Sequence, residues 1–325
     1  MRVSRRTLIL ALGVAPTLLP RAAFAAYPDH PIRMVVPFAA GGNADIVARV
    51  VGERMAAALE QPVVIDNRAG AGGSIGAEAV ARAEPDGYTL LVGSNGPLTV
   101  NPFVQAKLGY DPLKDFAPIA LTSYVPHTII VHPSLEAKTV AELVALSQTK
   151  AISIGTSGVG SATHLTLERF NAQTGAKLAH IPYRSGGALL PDLIGGNIQA
   201  AMTELSTALP LHRGGQARII AIAALQRSAL APDIPTMIDG GVKDFTAESY
   251  VGILAPGATA PAVIAQLQKA VVTALATDKV KDKLRELGAE LATAEQMTPA
   301  GFSDFIRADF ERSRAAVKLA GLTPQ

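Results

Sequence analysis

Three stretches of this sequence share one form. They are residues 37–45 (PFAAGGNAD), 70–76 (GAGGSIG) and 155–164 (GTSGVGSATH). Each follows an apolar, strand-like run and leads into a helical pattern. A turn of this kind presents free backbone N–H groups at a helix N-terminus, where an anion is held without a side-chain cation. Glycine lets the main chain come close and adopt positive φ. Ser157, Ser161 and Thr163 add hydroxyls able to donate to a carboxylate. None of the three ends in Gly-Lys-Ser/Thr, so a phosphate loop of the Walker type is excluded. Gly70-Ala71-Gly72 opens like a dinucleotide fingerprint, but position 75 is Ile75 where glycine is required. For one loop alone a tight turn is the simpler reading, with Ser161 as a helix cap. Two such loops from different parts of the chain point instead to a shared small anion.

Other chemistry is thinly represented. Gly72-Gly73-Ser74-Ile75-Gly76 fits G-x-S-x-G, but a nucleophile elbow places its serine directly after a strand, and residues 67–71 intervene. Ser74 as a hydrolase nucleophile is therefore a remote alternative, and no catalytic residue is assigned. Cysteine is absent, which removes disulfides, thiol catalysis and thiolate metal sites. The six histidines form no H-E-x-x-H pattern, so no metal site and no cofactor are expected. His164 closes the third loop, where a local hydrogen bond orienting that loop is favoured over ligand contact. Asp45 falls in the first turn of a helix, a structural place for a negative charge. Glu204 ends a strand; it suits a ligand amine if it faces a cleft, or it pairs with a loop group.

The elements that must carry these loops alternate. Residues 32–36, 63–65 and 88–92 read as strands, with a helix over 44–60 whose Ile46, Val47, Val50, Val51 and Met55 have helical spacing, and another up to 83. This order predicts a parallel sheet with ligand loops at the carboxyl ends of its strands. A second set of strands falls at 117–123, 128–131, 152–154, 177–181, 198–203 and 218–224. Thr139 and Glu142 form a capping box for a short helix, and Ser161 opens a helix to about residue 174. A strand at 250–254 and helices at 261–276, 279–287 and 299–319 complete the chain. No clean internal repeat is visible. Two α/β units with a helical return imply two lobes, several crossings and a crevice between.

The chain has 325 residues, 49% hydrophobic and 17% charged, with no Trp. Residues 1–25 read as an export signal: Arg2, Arg5 and Arg6, an apolar stretch over 7–19, then Ala23-Phe24-Ala25. Ser4-Arg5-Arg6-Thr7-Leu8-Ile9 also resembles a twin-arginine signal, and both routes stay open. Those residues hold four arginines and no acids, so the rest carries 25 basic and 27 acidic side chains, a net charge of −2. With no basic runs, nucleic-acid binding is not expected.

These residues are also recognisable together. Pro37-Phe38-Ala39-Ala40-Gly41-Gly42 with Asp45 and Ala48-Arg49, then residues 64–73 (VIDNRAGAGG) and 85–90 (PDGYTL), resemble the Bug family, the periplasmic receptors of tripartite tricarboxylate transporters. So do Asn101-Pro102, 110–112 (YDP), Asp115-Phe116, 155–161 (GTSGVGS), His164-Leu165, 180–183 (HIPY), 192–196 (DLIGG) and 231–236 (APDIPT). The likeness runs in order along nearly all of the chain after residue 25. Ala40, Ala69 and Tyr250 stand where the family often has Pro, Pro and Trp, and no binding group is lost by these changes.

The resemblance implies a periplasmic binding protein fold of the second type: two Rossmann-like α/β lobes closing on a ligand cleft. The expected lobes are 26–124 with 251–325, and 125–250. It implies that Ser157, Gly158, Ser161, Ala162 and Thr163 hold a ligand carboxylate through backbone and hydroxyl groups. Phe38, Ala39, Ala40 and Gly42 would meet the ligand partly through waters, Asp192 would tune specificity, and Asn95 is a further contact. The expected protein is a monomeric, non-enzymatic periplasmic receptor. It would deliver a mono-, di- or tricarboxylate, an amino acid or an aromatic acid to membrane transporter subunits. A sensor feeding a two-component system is the alternative.

Overall fold

The computed structural model describes residues 27–324, and the export segment read from residues 1–25 lies outside them. The chain begins with β1 (Ile32–Val36), α1 (Asn43–Leu59), β2 (Val63–Asn67), α2 (Ser74–Ala81) and β3 (Thr89–Gly93). Ile32, Met34, Val35 and Val36 of β1 are all fully buried, as expected of a strand covered on both faces. On α1, Val47, Val51, Met55 and Leu59 recur every four residues, so they share one face and enter the core. A single π-helical turn (Gly96–Val100) and α3 (Asn101–Val104) follow, which the sequence pattern did not suggest.

Then come β4 (Phe116–Val131), α4 (Val140–Ser147), β5 (Ile152–Thr156), α5 (Ala162–Thr174), β6 (Leu178–Pro182), α6 (Leu190–Ile194), β7 (Ala200–Glu204), α7 (Leu205–Arg213) and β8 (Arg218–Ile222). The chain ends with β9 (Glu248–Pro256), α8 (Pro261–Ala276), α9 (Asp278–Glu286), the two-residue β10 (Glu290–Leu291) and α10 (Pro299–Leu319). Thr139 caps α4 by accepting from Glu142 N (3.2 Å), while the Glu142 carboxylate turns back to Lys138 N (2.6 Å). The predicted capping box is thus present with its return bond moved one residue upstream.

The two strands expected at 117–123 and 128–131 are one 16-residue strand, β4. Its first part, Phe116–Pro126, pairs antiparallel with β9, with register shifts between Pro118/Ala120 and Leu121/Ser123. From His127 to Val131 it pairs with β7 and β8 instead. Pro126, which has no N–H to give a ladder, sits where one set of partners ends and the other begins.

Strand order then repeats. The first half runs β2-β1-β3-β9-β4, with β1 parallel to β2 and β3 and with β9 antiparallel. The second half runs β6-β5-β7-β4-β8, with β5 parallel to β6 and β7 and with β4 antiparallel. The sheet is therefore mixed rather than purely parallel, because each half completes itself with a strand arriving from the other. One core cluster, including Ile154, Phe170, Met202 and Phe245, belongs to the second half. Another continues from α1 and α8 through β4 to α7. Phe302 of α10 is fully buried over Gly252 of β9, where an added Cβ would overlap its ring.

Candidate functional site

Two helix N-termini, one from each half, converge on a partly open cavity of about 30 Å³, the share of one water in the liquid. Gly42, Asn43 and Ala44 bring the start of α1, and Ser161 and Ala162 the start of α5. The first N–H groups of a helix have no internal partner, and both dipoles point their positive ends inward. Phe38, Ser157 and Glu204 share the lining. Ser157 Oγ is buried with no hydrogen-bond partner, so its hydroxyl is free toward the cavity.

Each loop is held by a side chain four residues beyond the glycine it fixes, in the first turn of the helix that follows. Gly41 N donates to Asp45 Oδ2 (2.9 Å), and that carboxylate also accepts from Arg49 Nε (3.0 Å) and Asn67 Nδ2 (2.9 Å). Burial opposes the Asp45 charge, but these donors outweigh it and hold the carboxyl below the usual range. In the second half Gly160 N donates to His164 Nδ1 (3.3 Å). His180 Nε2 bonds Thr156 Oγ1 (2.7 Å), which accepts from Gly158 N (3.2 Å). His164 therefore orients its loop, as expected. Burial, and then neighbouring His180, push its pKa down to about 4; burial puts His180 at about 4 as well.

His164, Glu168 and His180 also bring ligand-type atoms within 4.8 Å of one another. Because His164 Nδ1 accepts from the backbone, its proton sits on Nε2, facing Glu168 Oε1 at 3.8 Å. A metal would need the Nε2 lone pair that this tautomer lacks, and the two imidazoles are stacked, 4.3 Å between centroids.

The expected contact residues separate into groups. Phe38, Gly42, Ser157, Ser161 and Ala162 meet at the cavity. Ser161 lines it and also caps α5, accepting from His164 N (3.2 Å). Thr163 is fully buried behind the loop, its Oγ1 accepting from Ser157 N (3.0 Å), and Gly158 supplies the left-handed turn at φ +113°. Ala39 N donates to Arg184 O (3.1 Å) across the halves, and Ala40 is exposed. Asn95 lies elsewhere: its Oδ1 accepts from Tyr250 N (3.0 Å) and its Nδ2 faces Asp309 (3.3 Å), so it ties β9 to α10. It lines a wider crevice of about 1300 Å³ along α5 and α10. Asp192 is also away from the cavity; its carboxylate accepts from Tyr183 Oη (2.6 Å) and Asn197 Nδ2 (3.1 Å), which lower its pKa.

The glycine loop at 70–76 is a brace. Asn101 Nδ2 donates to Gly72 O (3.1 Å) and Ser74 Oγ (2.7 Å), while a Cβ on Gly72 would overlap Val159 O of the other half. Ser74 Oγ donates to Gln105 Oε1 (2.9 Å), with no histidine as base.

A fourth loop, Ser185-Gly186-Gly187, escaped the sequence reading. It follows β6 and precedes α6, so the strand, glycine turn and helix order was its signal. A Cβ on Gly187 would lie 2.5 Å from Gly41 C, and one on Gly42 3.2 Å from Ser185 Cβ. Gly42 and Gly187 thus let the two halves approach closely here. Ser94, Ser249 and Tyr250 were also missed; the latter two reach the cavity through the β9 crossing, which has no local mark.

The comparisons agree with this fold. The structure of the periplasmic binding protein BugD is 33% identical, covering 92% of this chain and all of its own, with a TM-score of 0.89. Rpa4515 of R. palustris, solved with adipate, is 32% identical at TM-score 0.88, covering 92% of this chain and 100% of its own. MatC of Rhodopseudomonas palustris, solved with bound malate, is 31% identical at TM-score 0.86, covering 90% and 100%. The fold is that of the periplasmic binding proteins, and the matching family is one of receptors rather than enzymes. With residues 47–322 matching its profile, the chain belongs to the TctC family, the tripartite tricarboxylate transporter family receptors.

Proposed function

We propose that the protein is an extracytoplasmic receptor that captures a small organic carboxylate between its halves and delivers it to a tripartite tricarboxylate-type membrane transporter. The observation that carries this reading is the convergence of the α1 and α5 N-termini on one cavity beside the unpartnered Ser157 hydroxyl. Backbone dipoles supply the positive end, and no lysine or arginine lines the cavity. The relatives solved with adipate and malate bind this ligand class.

The moving bodies are residues 26–124 with 251–325, and residues 125–250. The change of β4 partners at Pro126 and His127 and the start of β9 at Glu248 support that division. A guest bonded to both halves favours closure by its differential affinity for the closed form. The receptor works in the periplasm as a monomer, and no helix among the described residues is long and apolar enough to cross a membrane.

The test is a thermal-shift screen of mono-, di- and tricarboxylates, followed by calorimetry on Ser157→Ala. The variant should lose about five- to tenfold in affinity, near one neutral hydrogen bond, with unchanged melting, since the hydroxyl has no protein partner. Unchanged affinity would remove the second-half loop from the site.

A further inference from the structure

We propose that Glu204 is a specificity residue of the cleft and meets an anionic guest as a neutral carboxylic acid, so that capture carries one proton with it; this rests on the carboxylate-receptor reading above. Glu204 lines the cavity and is 8% exposed. Its carboxyl lies close to the grip: a Cβ on Gly186 would stand 3.0 Å from Glu204 Oε2 and 3.6 Å from Ser157 Oγ. A carboxylate held at Ser157 therefore puts a second carboxyl a few ångströms away, in a site too small to interpose much water. Two such groups do not both stay ionised.

The surroundings accept the neutral form with every proton used once. In that form Glu204 Oε1–H donates to Ser249 Oγ (3.1 Å), and Ser249 donates to His127 Nε2 (2.8 Å). His127 Nδ1–H then donates to Thr166 Oγ1 (2.8 Å), which donates to Ala162 O (3.0 Å) at the start of α5. Thr203 Oγ1 donates to the remaining oxygen, Oε2 (3.2 Å). The relay thus runs from the cavity through both crossing strands back to the helix that grips the guest. With the acid ionised, Ser249 Oγ donates to Glu204 Oε1, His127 Nε2–H to Ser249 Oγ and Thr166 Oγ1 to His127 Nδ1, while Thr203 keeps its bond and Ala162 O gives up only the Thr166 hydroxyl, so one proton can enter or leave without an orphaned donor.

No cation stabilises the ionised form. Among the described residues Glu204 has hydroxyl partners and no ion pair. On β4 the nearest titratable group is His127, held neutral by burial and by Arg169 of α5, its pKa down to about 3. Asp45 of α1 is matched by Arg49, and Glu248 of β9 lies in the fields of Arg312 and Asp309. Arg184, ahead of α6, is exposed. Burial pushes the Glu204 carboxyl up, and its own backbone N–H with the Ser249 and Thr203 hydroxyls offsets only part of this.

The experiment is calorimetry of the wild type and Glu204→Gln with malate and adipate, from roughly pH 7 to 9, where both carboxyls of either probe stay ionised. Expected is wild-type affinity that falls with rising pH, by up to about tenfold per unit, with buffer-dependent heats reporting proton uptake. Glu204→Gln, a neutral isostere, should bind within about threefold of the neutral-pH wild type and show no pH dependence. Wild-type binding that is flat in pH overturns the proposal, and this arm does not depend on the variant folding. A loss beyond about tenfold in Glu204→Gln also overturns it, since the neutral isostere should bind as the neutral acid does. Binding of no organic acid by either protein defeats the receptor reading, and is distinct from binding that proceeds without a proton.

Discussion

The first-half loop at 37–45 and the second-half loop at 155–164 solve one problem with different chemistry. Each has a glycine N–H that must be held so that the next amides face the cleft, and each uses the side chain four residues on. Asp45 does it with a charge, which then requires Arg49 and Asn67 to balance it. His164 does it with a neutral ring backed by His180. The difference concerns what a guest would feel: the His164 brace brings no charge of its own to the 155–164 loop, whereas near Gly41 the charge of the Asp45 brace is screened by its own ion pair. The hydroxyl-bearing loop is thus the better place for direct contact, and the glycine loop the better partner for closure.

Acid should break the comparison most visibly. His164 and His127 have folded pKa values near 4 and 3, below the unfolded 6.5. The unfolded chain therefore binds more protons in between, so their contribution is full above about pH 6.5 and is lost as pH falls toward 4. Asp45, lowered from 3.8, keeps its bonds through that window. On the order of a few kcal/mol should disappear between pH 7 and 5. Hydrogen exchange should rise over residues 155–183 before residues 32–67; equal rise in both regions would refute the distinction.

Substitution of the two braces comes next. Asp45→Ala removes the acceptor of Gly41 N and Asn67 Nδ2 and the ion-pair partner of Arg49; because Gly41 and Arg49 reach solvent, the loss should be about 2 kcal/mol in urea melts. His164→Ala leaves the buried Gly160 N unpaired at about 2 kcal/mol, and its effect on ligand affinity should exceed that of Asp45→Ala. The reverse order would assign the direct grip to the first half. Gly187→Ala, which pushes a methyl against Gly41, should cost closure about 1–2 kcal/mol; that is about a tenfold loss of affinity with unchanged melting of the ligand-free protein. The smallest effect is Ser161→Ala, about 1 kcal/mol of stability from the lost cap, measured against Ser157→Ala, which should lose none.

Much of this was legible along the chain. The glycine loops, the helix starts read at Ala44 (one residue late) and after Ser161, the Thr139 cap and the apolar face of α1 are local facts, set by residue types within one or two turns. Strand limits moved by a residue or two because neighbours, not propensity, decide where a ladder stops. The strand order that both halves share left no repeat in the sequence, since topology constrains which faces are buried and not which residues fill them.

Local chemistry by itself determined that several amide-rich turns exist, each at a helix start and without a lysine. Only the tertiary structure decided which of them meet. The long β4 and the returning β9 bring residues 42, 157, 204 and 249 to one cavity, turn the 70–76 loop into a brace, and commit Asn95 to Asp309 and Tyr250. Contacts between residues so far apart depend on how two bodies dock, and no spacing along a single strand or helix encodes that.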